Sequence, residues 1–362
     1  MSNSIPPSAL KGRGAISNPE GRFEKRSTEA LDDGWGTIDE ALPPLETTVT
    51  AEVSKTIITR NDSPDIGFDQ SINPYRGCEH GCVYCYARPA HAYMNLSPGL
   101  DFETKLFYKP NAAELLDAEL RKPGYRCSMI SLGSNTDPYQ PIERKLKVTR
   151  SILEVLARFR HPVGIVTKGA ALIERDIDVL SELARENLVL VAISITSLRP
   201  ELKRTLEPRT AAPATRLRIM KQLADAGIPV MVMFAPVIPF INDAELEQVL
   251  EAARDAGAHR AGYVMLRLPH EVKDLFREWL ETHEPLKAKH VMSLVQQMRG
   301  GKDNDPRFGA RMRGEGEYAG LIARRFSLAC RRLGLNEGRY RVPETGKFRV
   351  PQGSGDQLGL AF

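Results

Sequence analysis

The chain has 362 residues and a mass of 40.3 kDa, which accommodates two or three average domains or a single α/β barrel with insertions. A hydrophobic content of 42%, 27% charged residues and a net charge of +4 describe an ordinary globular chain; no apolar run approaches the roughly 20 residues of a membrane-spanning helix. The start, MSNSIPPSALKGRG, is polar and proline-rich and has no apolar leader, so a cytoplasmic location is expected.

Residues 1–60 mix Pro, Gly and Ser with 7 basic and 9 acidic side chains and show little hydrophobic periodicity, which predicts a mostly disordered N-terminal extension. Between 61 and 285 short apolar runs alternate with amphipathic stretches. SINPYRG (71–77), CSMISLGS (127–134), PVGIVTKG (162–169), LVLVAISITS (188–197), PVMVMFAPVIP (229–239) and GYVMLRLP (262–269) predict six strands, most of them near-continuous and β-branched as buried parallel strands are. KVTRSILEVLARF, ALIERDIDVLSELAREN, PATRLRIMKQLADAG and DAELEQVLEAARDAG have helical spacing, and the last two end in the Ala-Gly of a helix stop. A strand–helix unit repeated every 30–35 residues predicts an α/β fold with a parallel sheet or barrel. No G-x-G-x-x-G follows the first strand, which argues against a dinucleotide-binding domain.

Residues 286–362 are expected to form a basic, mainly helical extension over the barrel mouth. Within 287–350 there are 15 Lys and Arg against 6 Asp and Glu, a local net of +9 that leaves −5 for the remainder. The imbalance points to an anionic partner, nucleic acid first, through Arg324, Arg325, Arg331 and Arg332. The alternative is that these arginines simply solvate the outer face of a helix.

Three of the five cysteines, Cys78, Cys82 and Cys85, fall within eight positions directly after the first strand. Crowded thiols suit iron–sulfur clusters and zinc better than a disulfide framework. A structural zinc site needs four ligands, usually as two pairs; here there is one triplet, which His80 or His91 would have to complete. A four-iron cluster held by three thiolates leaves one corner open for chemistry, and the carboxyl end of a strand is where α/β barrels place their active sites. Gly77 and Gly81 allow the tight path such a loop takes. Cys127 reads as a buried core thiol and Cys330 as a bystander. No G-x-S-x-G elbow or His-Glu-x-x-His helix is present, and His270 reads as a loop residue at the rim.

GCEHGCVYCYAR resembles the cluster loop of the radical S-adenosylmethionine (radical SAM) enzymes, whose Cys-x3-Cys-x-aromatic-Cys signature is met by Cys78, Cys82, Tyr84 and Cys85. The resemblance covers roughly residues 65–285. It implies a partial (β/α)6 TIM-like barrel and a 4Fe-4S cluster whose fourth iron is chelated by S-adenosylmethionine. One-electron reduction, from a donor such as flavodoxin or ferredoxin, then yields methionine and a 5′-deoxyadenosyl radical that abstracts hydrogen from substrate. Within the superfamily the chain is most similar to the spore photoproduct lyase and DNA repair photolyase branch, which implies a nucleic-acid base lesion or modification as substrate; a protein or small molecule, or a metal-stabilised binding protein without catalysis, are the alternatives. In the lyase, tyrosines flanking the third cysteine take part in hydrogen transfer, and Tyr84 and Tyr86 occupy those places. The lyase's hydrogen-donating cysteine has no counterpart, since Gly133 and Ser134 stand near that position.

The cofactor implied by the resemblance needs polar partners at the strand ends. Ser134, Asn135, Thr136 and Asp137 end the second strand and suit the methionyl ammonium, or else form an Asx-turn before Pro138. Lys168 ends the third and resembles the lysine that the lyase branch sets near the SAM carboxylate. Ser194 and Thr196 share one face of the fourth strand, toward ribose or methionyl groups or satisfying backbone locally. Glu207 and Arg216 resemble the Glu and Arg of related radical enzymes, the alternative being an exposed pair; Tyr84 lies against the cofactor. Pro236, Val237, Ile238 and Pro239, with Val264, Met265 and Leu266, form an adenine wall or pack the core.

Overall fold

The computed structural model describes residues 12–24, 45–337 and 343–352. Ten strands appear in chain order: β1 Thr48–Ala51, β2 Thr59–Arg60, β3 Gln70–Ile72, β4 Tyr75–Arg76, β5 Lys105–Tyr108, β6 Ile130–Leu132, β7 Val163–Thr167, β8 Val189–Ser194, β9 Val230–Val237 and β10 Arg260–Met265. The main sheet runs β10-β9-β8-β7-β6-β3-β2. Its pairs from β3 to β10 are all parallel, and β2 joins the edge antiparallel to β3. β3 and β10 are not paired to each other, so the six parallel strands form an open arc, the partial (β/α)6 barrel of an α/β fold.

The strands are held by the alternate residues they bury: Ile130, Leu132, Val163, Ile165, Val189, Val191, Ile193, Val230, Val232 and Phe234 belong to one apolar core, while most intervening positions of β7, β9 and β10 are less buried. The covering helices Val148–Arg158, Ile177–Arg185, Pro213–Asp225 and Leu246–Asp255 add Ile152, Leu156, Leu180, Leu183, Ile219, Leu223, Val249 and Leu250 to it. The helix expected over ALIERDIDVLSELAREN is broken at Asp176, whose fully buried carboxylate accepts from the Tyr139 hydroxyl (3.1 Å) and from Arg175. A further helix, Ala112–Leu120, precedes β6.

Several expectations change. The first strand divides: Pro74 has no N–H to donate, and after it the chain leaves the main sheet to pair β4 with β5 in a small sheet ordered β1-β5-β4. Cys127 is not a core thiol; β6 begins only at Ile130, where β3 can pair, and Cys127 lies partly exposed ahead of it. Cys330 is buried in the helix Gly316–Leu333. Of the stretch read as a disordered arm, residues 1–11 and 25–44 lie outside the described residues, whereas Gly14 and Ala15 are buried and β1 pairs with β5.

The C-terminal extension does not lie across the barrel mouth as a whole. The helix Gly316–Leu333 packs along Leu246–Asp255 in the outer layer. At its start the Tyr318 hydroxyl donates to Asp243 (2.6 Å), beyond the carboxyl end of β9, and just past its end Asn336 bonds Ala261 at the opposite end of β10. The 298–313 stretch meets the carboxyl rim through Arg299, Arg311 and Met312, and Val291, Met292 and Val295 pack with Ile238, Ile241 and Leu266 beside it. Arg339 and Arg341 lie outside the described residues.

Candidate active site

The cysteine loop leaves β4 at the carboxyl rim, anchored by its own backbone. Gly77 (φ 76°) and Gly81 (φ 66°) adopt left-handed conformations, and a Cβ at Gly77 would sit 2.8–2.9 Å from Leu106, His91 and Phe102. The Cys78 N–H donates to Phe102 (2.9 Å), and the Gly77 carbonyl accepts from the Thr136 hydroxyl (2.7 Å) and the Gln140 amide (3.2 Å). Beneath the loop, Arg88 is fully buried: its Nε donates to the Cys82 carbonyl (2.9 Å), Nη1 to Gly99 (2.8 Å) and Nη2 to the equally buried Glu103 at 2.5 Å. Glu103 also accepts from the backbone N–H groups of Gly14 (3.0 Å) and Ala15 (2.9 Å). The N-terminal strap is thereby pressed against the loop.

Cys78, Cys82 and Cys85 are all free thiols. Burial pushes each of them up, Cys78 further through Asp137 and the other two sulfurs, and Cys82 further through Glu207, while Lys168 acts in the opposite sense on Cys82 and Cys85. Thiols so placed lose their protons readily only to a metal centre. Among the described residues no three His, Cys, Asp or Glu side chains converge to hold one metal ion, so the triplet is not assembled as a zinc site. Neither histidine completes a converging ligand set among the described residues: His80 Nδ1 is 3.3 Å from Asp137, and His91 contacts the Lys105 carbonyl through Nε2 at 3.0 Å, its Nδ1 being buried without a partner. Thiolates that each bind a different iron of a 4Fe-4S cluster need no common point, and this donor set fits that group.

Tyr84 is buried with its hydroxyl donated to Glu207, which also accepts from the Thr196 hydroxyl (2.6 Å) and from Arg216 (2.6 Å). Arg216 is satisfied by protein throughout: Nε on Ala211 (2.9 Å), Nη1 on the Ser194 carbonyl (2.8 Å), Nη2 on Glu207 and Thr210. Glu207 and Arg216 are therefore a buried pair and not an exposed one. Burial pushes the Glu207 carboxyl up, but Arg216, Lys168 and the donated hydroxyls outweigh it and hold it at about 2. The cluster of contacts keeps Tyr84, and with it the loop between Cys82 and Cys85, in one place.

At the ends of β6 and β7, Asp137 is likewise used by the protein. It accepts from the Thr167 hydroxyl (2.6 Å), the Lys168 N–H (2.7 Å) and the Tyr139 N–H (2.9 Å), the turn that Asp-Pro suggested. Burial raises its pKa, while His80 and these donors lower it more, to about 2. The Ser134 hydroxyl and the Asn135 N–H are held by Asn73, at 3.0 and 2.8 Å. Lys168 differs: its ammonium stands 5.8 Å from the Tyr84 ring centroid, and no carboxylate or hydrogen-bond acceptor among the described residues takes it. Met265 and Val237 are fully buried in the main core, Ile238 is buried in a second apolar cluster with Leu266, and His270 is exposed. Tyr86, 48% exposed, donates to the Ser134 carbonyl and faces Arg267.

Arg88, Glu103, Gln140, Asn73 and the Gly14 strap were not found from sequence, because their partners lie far along the chain. Gly14 in KGRGA was the one local signal available, since the close approach of its backbone to Gly81 leaves no room for a side chain.

The sequence pattern of the Radical SAM superfamily matches residues 72–253, half of the chain. The uncharacterized protein Rv2578c of Mycobacterium tuberculosis is 39% identical over 220 residues, 60% of this chain and 64% of that protein. The uncharacterized protein MJ0683 of Methanocaldococcus jannaschii is 30% identical over 174 residues, 48% of this chain and 62% of that one. The chain thus spans somewhat under two thirds of these relatives' length. A solved structure of substituted spore photoproduct lyase with bound AdoMet and dinucleoside spore photoproduct has a TM-score of 0.60 at 14% identity, covering 79% of this chain and 80% of that one. At that identity the likeness is one of fold.

Proposed function

Because this chain belongs to the radical SAM superfamily, an enzyme family that uses a 4Fe-4S cluster and S-adenosylmethionine, we propose that it abstracts hydrogen from a nucleic-acid base. Cys78, Cys82 and Cys85 would hold the cluster, and Lys168 would take the carboxylate of S-adenosylmethionine. When bound, the two groups supply one-electron reductive cleavage and, through it, hydrogen abstraction; the electron comes from a donor of the flavodoxin or ferredoxin kind.

The observation that carries the reading is the state of Lys168. Its ammonium is half-buried beside the cysteine loop, within electrostatic reach of Glu207 but hydrogen-bonded to no acceptor among the described residues, so its donors are available to a ligand's carboxylate. The remaining residues divide by what occupies them. Glu207, Arg216, Asp137 and Thr196 have their polar atoms engaged by protein and serve to hold Tyr84, the β6–β7 turn and the loop. Ser134 and Asn135 present a rim stabilised by Asn73, with Asn135 exposed to solvent. Tyr84 acts as a positioning residue, and Tyr86 is the tyrosine placed to meet substrate. Asn242, satisfied by the Thr196 and Pro236 carbonyls and the Ile238 N–H, keeps the apolar wall after β9 rigid.

Support for nucleic acid comes from the +9 charge of residues 287–350 and from the half-exposed aromatic ring at the rim. The test is isotopic. Oligonucleotides bearing deuterium on the base should pass it to 5′-deoxyadenosine in the reduced, reconstituted enzyme, and Lys168→Ala should weaken S-adenosylmethionine binding more than it weakens cluster assembly. Absence of label from every deuterated nucleic acid, with uncoupled S-adenosylmethionine cleavage intact, would overturn the substrate assignment.

A further inference from the structure

The rim between β10 and the 298–313 stretch holds two guanidinium groups without a carboxylate of their own. Arg267 follows β10; its Cζ is 5.3 Å from the Tyr86 ring centroid, its Nη1 meets the Met312 sulfur at 3.5 Å, and its Nε is buried without a hydrogen-bond partner. Arg299 is 1% exposed, with Nη2 on the Leu266 carbonyl (2.6 Å), Nη1 on the Ala310 carbonyl (2.7 Å) and Nε again unpartnered. The carboxylates nearby are committed elsewhere. Asp65 is clamped by Arg311 (2.8 Å at Nε) and by the Gly309 N–H (3.0 Å), and Asp305 is taken by Arg307 at 2.6 Å. Burial lowers the pKa of both groups, that of Arg299 to about 10 with Arg267 adding repulsion.

Two desolvated cations facing one another destabilise the free rim, and an anion between them and solvent would relieve both. The position is specific. Tyr86 immediately follows Cys85, so a group seated on Arg267 lies at the exit of the cysteine loop. Arg313 adds an exposed guanidinium on the same stretch, over the buried Tyr263 ring, and Phe308, 58% exposed beneath Arg311 at 4.7 Å, adds an exposed ring to that of Tyr86. Interleaved arginines and aromatic rings are what a single-stranded nucleic acid requires, phosphates on the cations and bases on the rings. The helix arginines do not share this geometry: Arg325 is paired with Glu247, and Arg331 and Arg332 end the outer helix, toward the opposite end of β10.

We propose that Arg267, backed by Arg299, binds a backbone phosphate of the nucleic-acid substrate and so sets the neighbouring base over Tyr86. The proposal rests on the nucleic-acid reading above, and two probes separate them. Binding of a fluorescent single-stranded oligonucleotide to the reconstituted protein should weaken about 10-fold in Arg267→Gln, as loss of a charge-assisted contact implies. The salt slope should fall by about one, and Arg267→Lys should restore part of the affinity. Iron content of each variant reports folding. In parallel, modification of Arg267 by phenylglyoxal, read by mass spectrometry, should be suppressed by inorganic phosphate. Oligonucleotide binding equal in wild type and Arg267→Gln overturns the site while leaving the substrate class standing. No oligonucleotide binding at low salt, with phosphate still protecting Arg267, leaves the anion site and removes nucleic acid; labelling indifferent to both ligands removes the site itself.

Discussion

Replacing Gly14 with alanine should detach the N-terminal strap from the cysteine loop. A Cβ at Gly14 would lie 1.6 Å from the Gly81 carbonyl oxygen and 2.8 Å from its carbon, and both of these are backbone atoms that cannot swing aside. Ordinary contact begins near 3.4 Å, so the strap must retreat by close to 2 Å. That movement breaks the Gly14 and Ala15 N–H bonds to the buried Glu103 carboxylate. Bonds to a charged group are worth about 1.5–3 kcal/mol each, so the docked strap loses about 3 kcal/mol at the lower bound, or about 100-fold in its open population. Hydrogen exchange of the reconstituted protein under anaerobic conditions should show residues 12–24 opening about 100-fold more often. The brown colour should also bleach faster in air than in wild type. Gly67→Ala, at a glycine with nothing within 4 Å, is the control. Wild-type protection of the strap in Gly14→Ala would refute the reasoning.

Other outcomes follow from buried charge. Glu207→Gln leaves Arg216 buried without a counter-ion and should cost about 3–5 kcal/mol in chemical denaturation, with Tyr84 left a neutral amide oxygen in place of the carboxylate. An effect below about 1 kcal/mol would mean that the pair is not desolvated as described. His161 is fully buried and its pKa is lowered to about 4 by desolvation. Its unfolded form, near 6.5, binds the proton first, so its contribution is complete above pH 6.5 and is lost as pH falls toward 4, by up to about 3 kcal/mol. Stability measured across that window should be flatter in His161→Gln, and an unchanged slope would count against the burial. Arg88→Met removes the donor to the Cys82 carbonyl and the buried counter-ion of Glu103, and should lower the iron retained per chain after gel filtration; full retention would show that the loop holds without it.

Much of the barrel could be read from the sequence, because its strands are near-continuous apolar runs whose alternate residues fill one core. The small sheet could not: β1 is exposed along its whole length, and β4 is two residues after a proline. The three cysteines were visible since their chemistry is local in sequence. The residues that brace them were not, because Arg88 meets Glu103, and Glu103 meets Gly14, through contacts that only the fold creates. Glu207 and Arg216 were singled out as a pair, but sequence spacing carried no information about burial or about the hydrogen bond by which Glu207 holds Tyr84. The basic segment was legible as charge alone. Which arginines are neutralised by Asp65, Asp305 or Glu247, and which stand without a counter-ion at the rim, is a property of packing.

The central claim is that Cys78, Cys82 and Cys85 hold a cluster open to S-adenosylmethionine. Anaerobic reconstitution followed by metal and sulfide analysis, with electron paramagnetic resonance of the reduced protein before and after adding S-adenosylmethionine, tests it most directly. The account predicts about four iron and four sulfide per chain, a signal that changes on adding S-adenosylmethionine, and loss of both in Cys82→Ala. A colourless protein with one zinc per chain, or a cluster signal indifferent to S-adenosylmethionine, would contradict it.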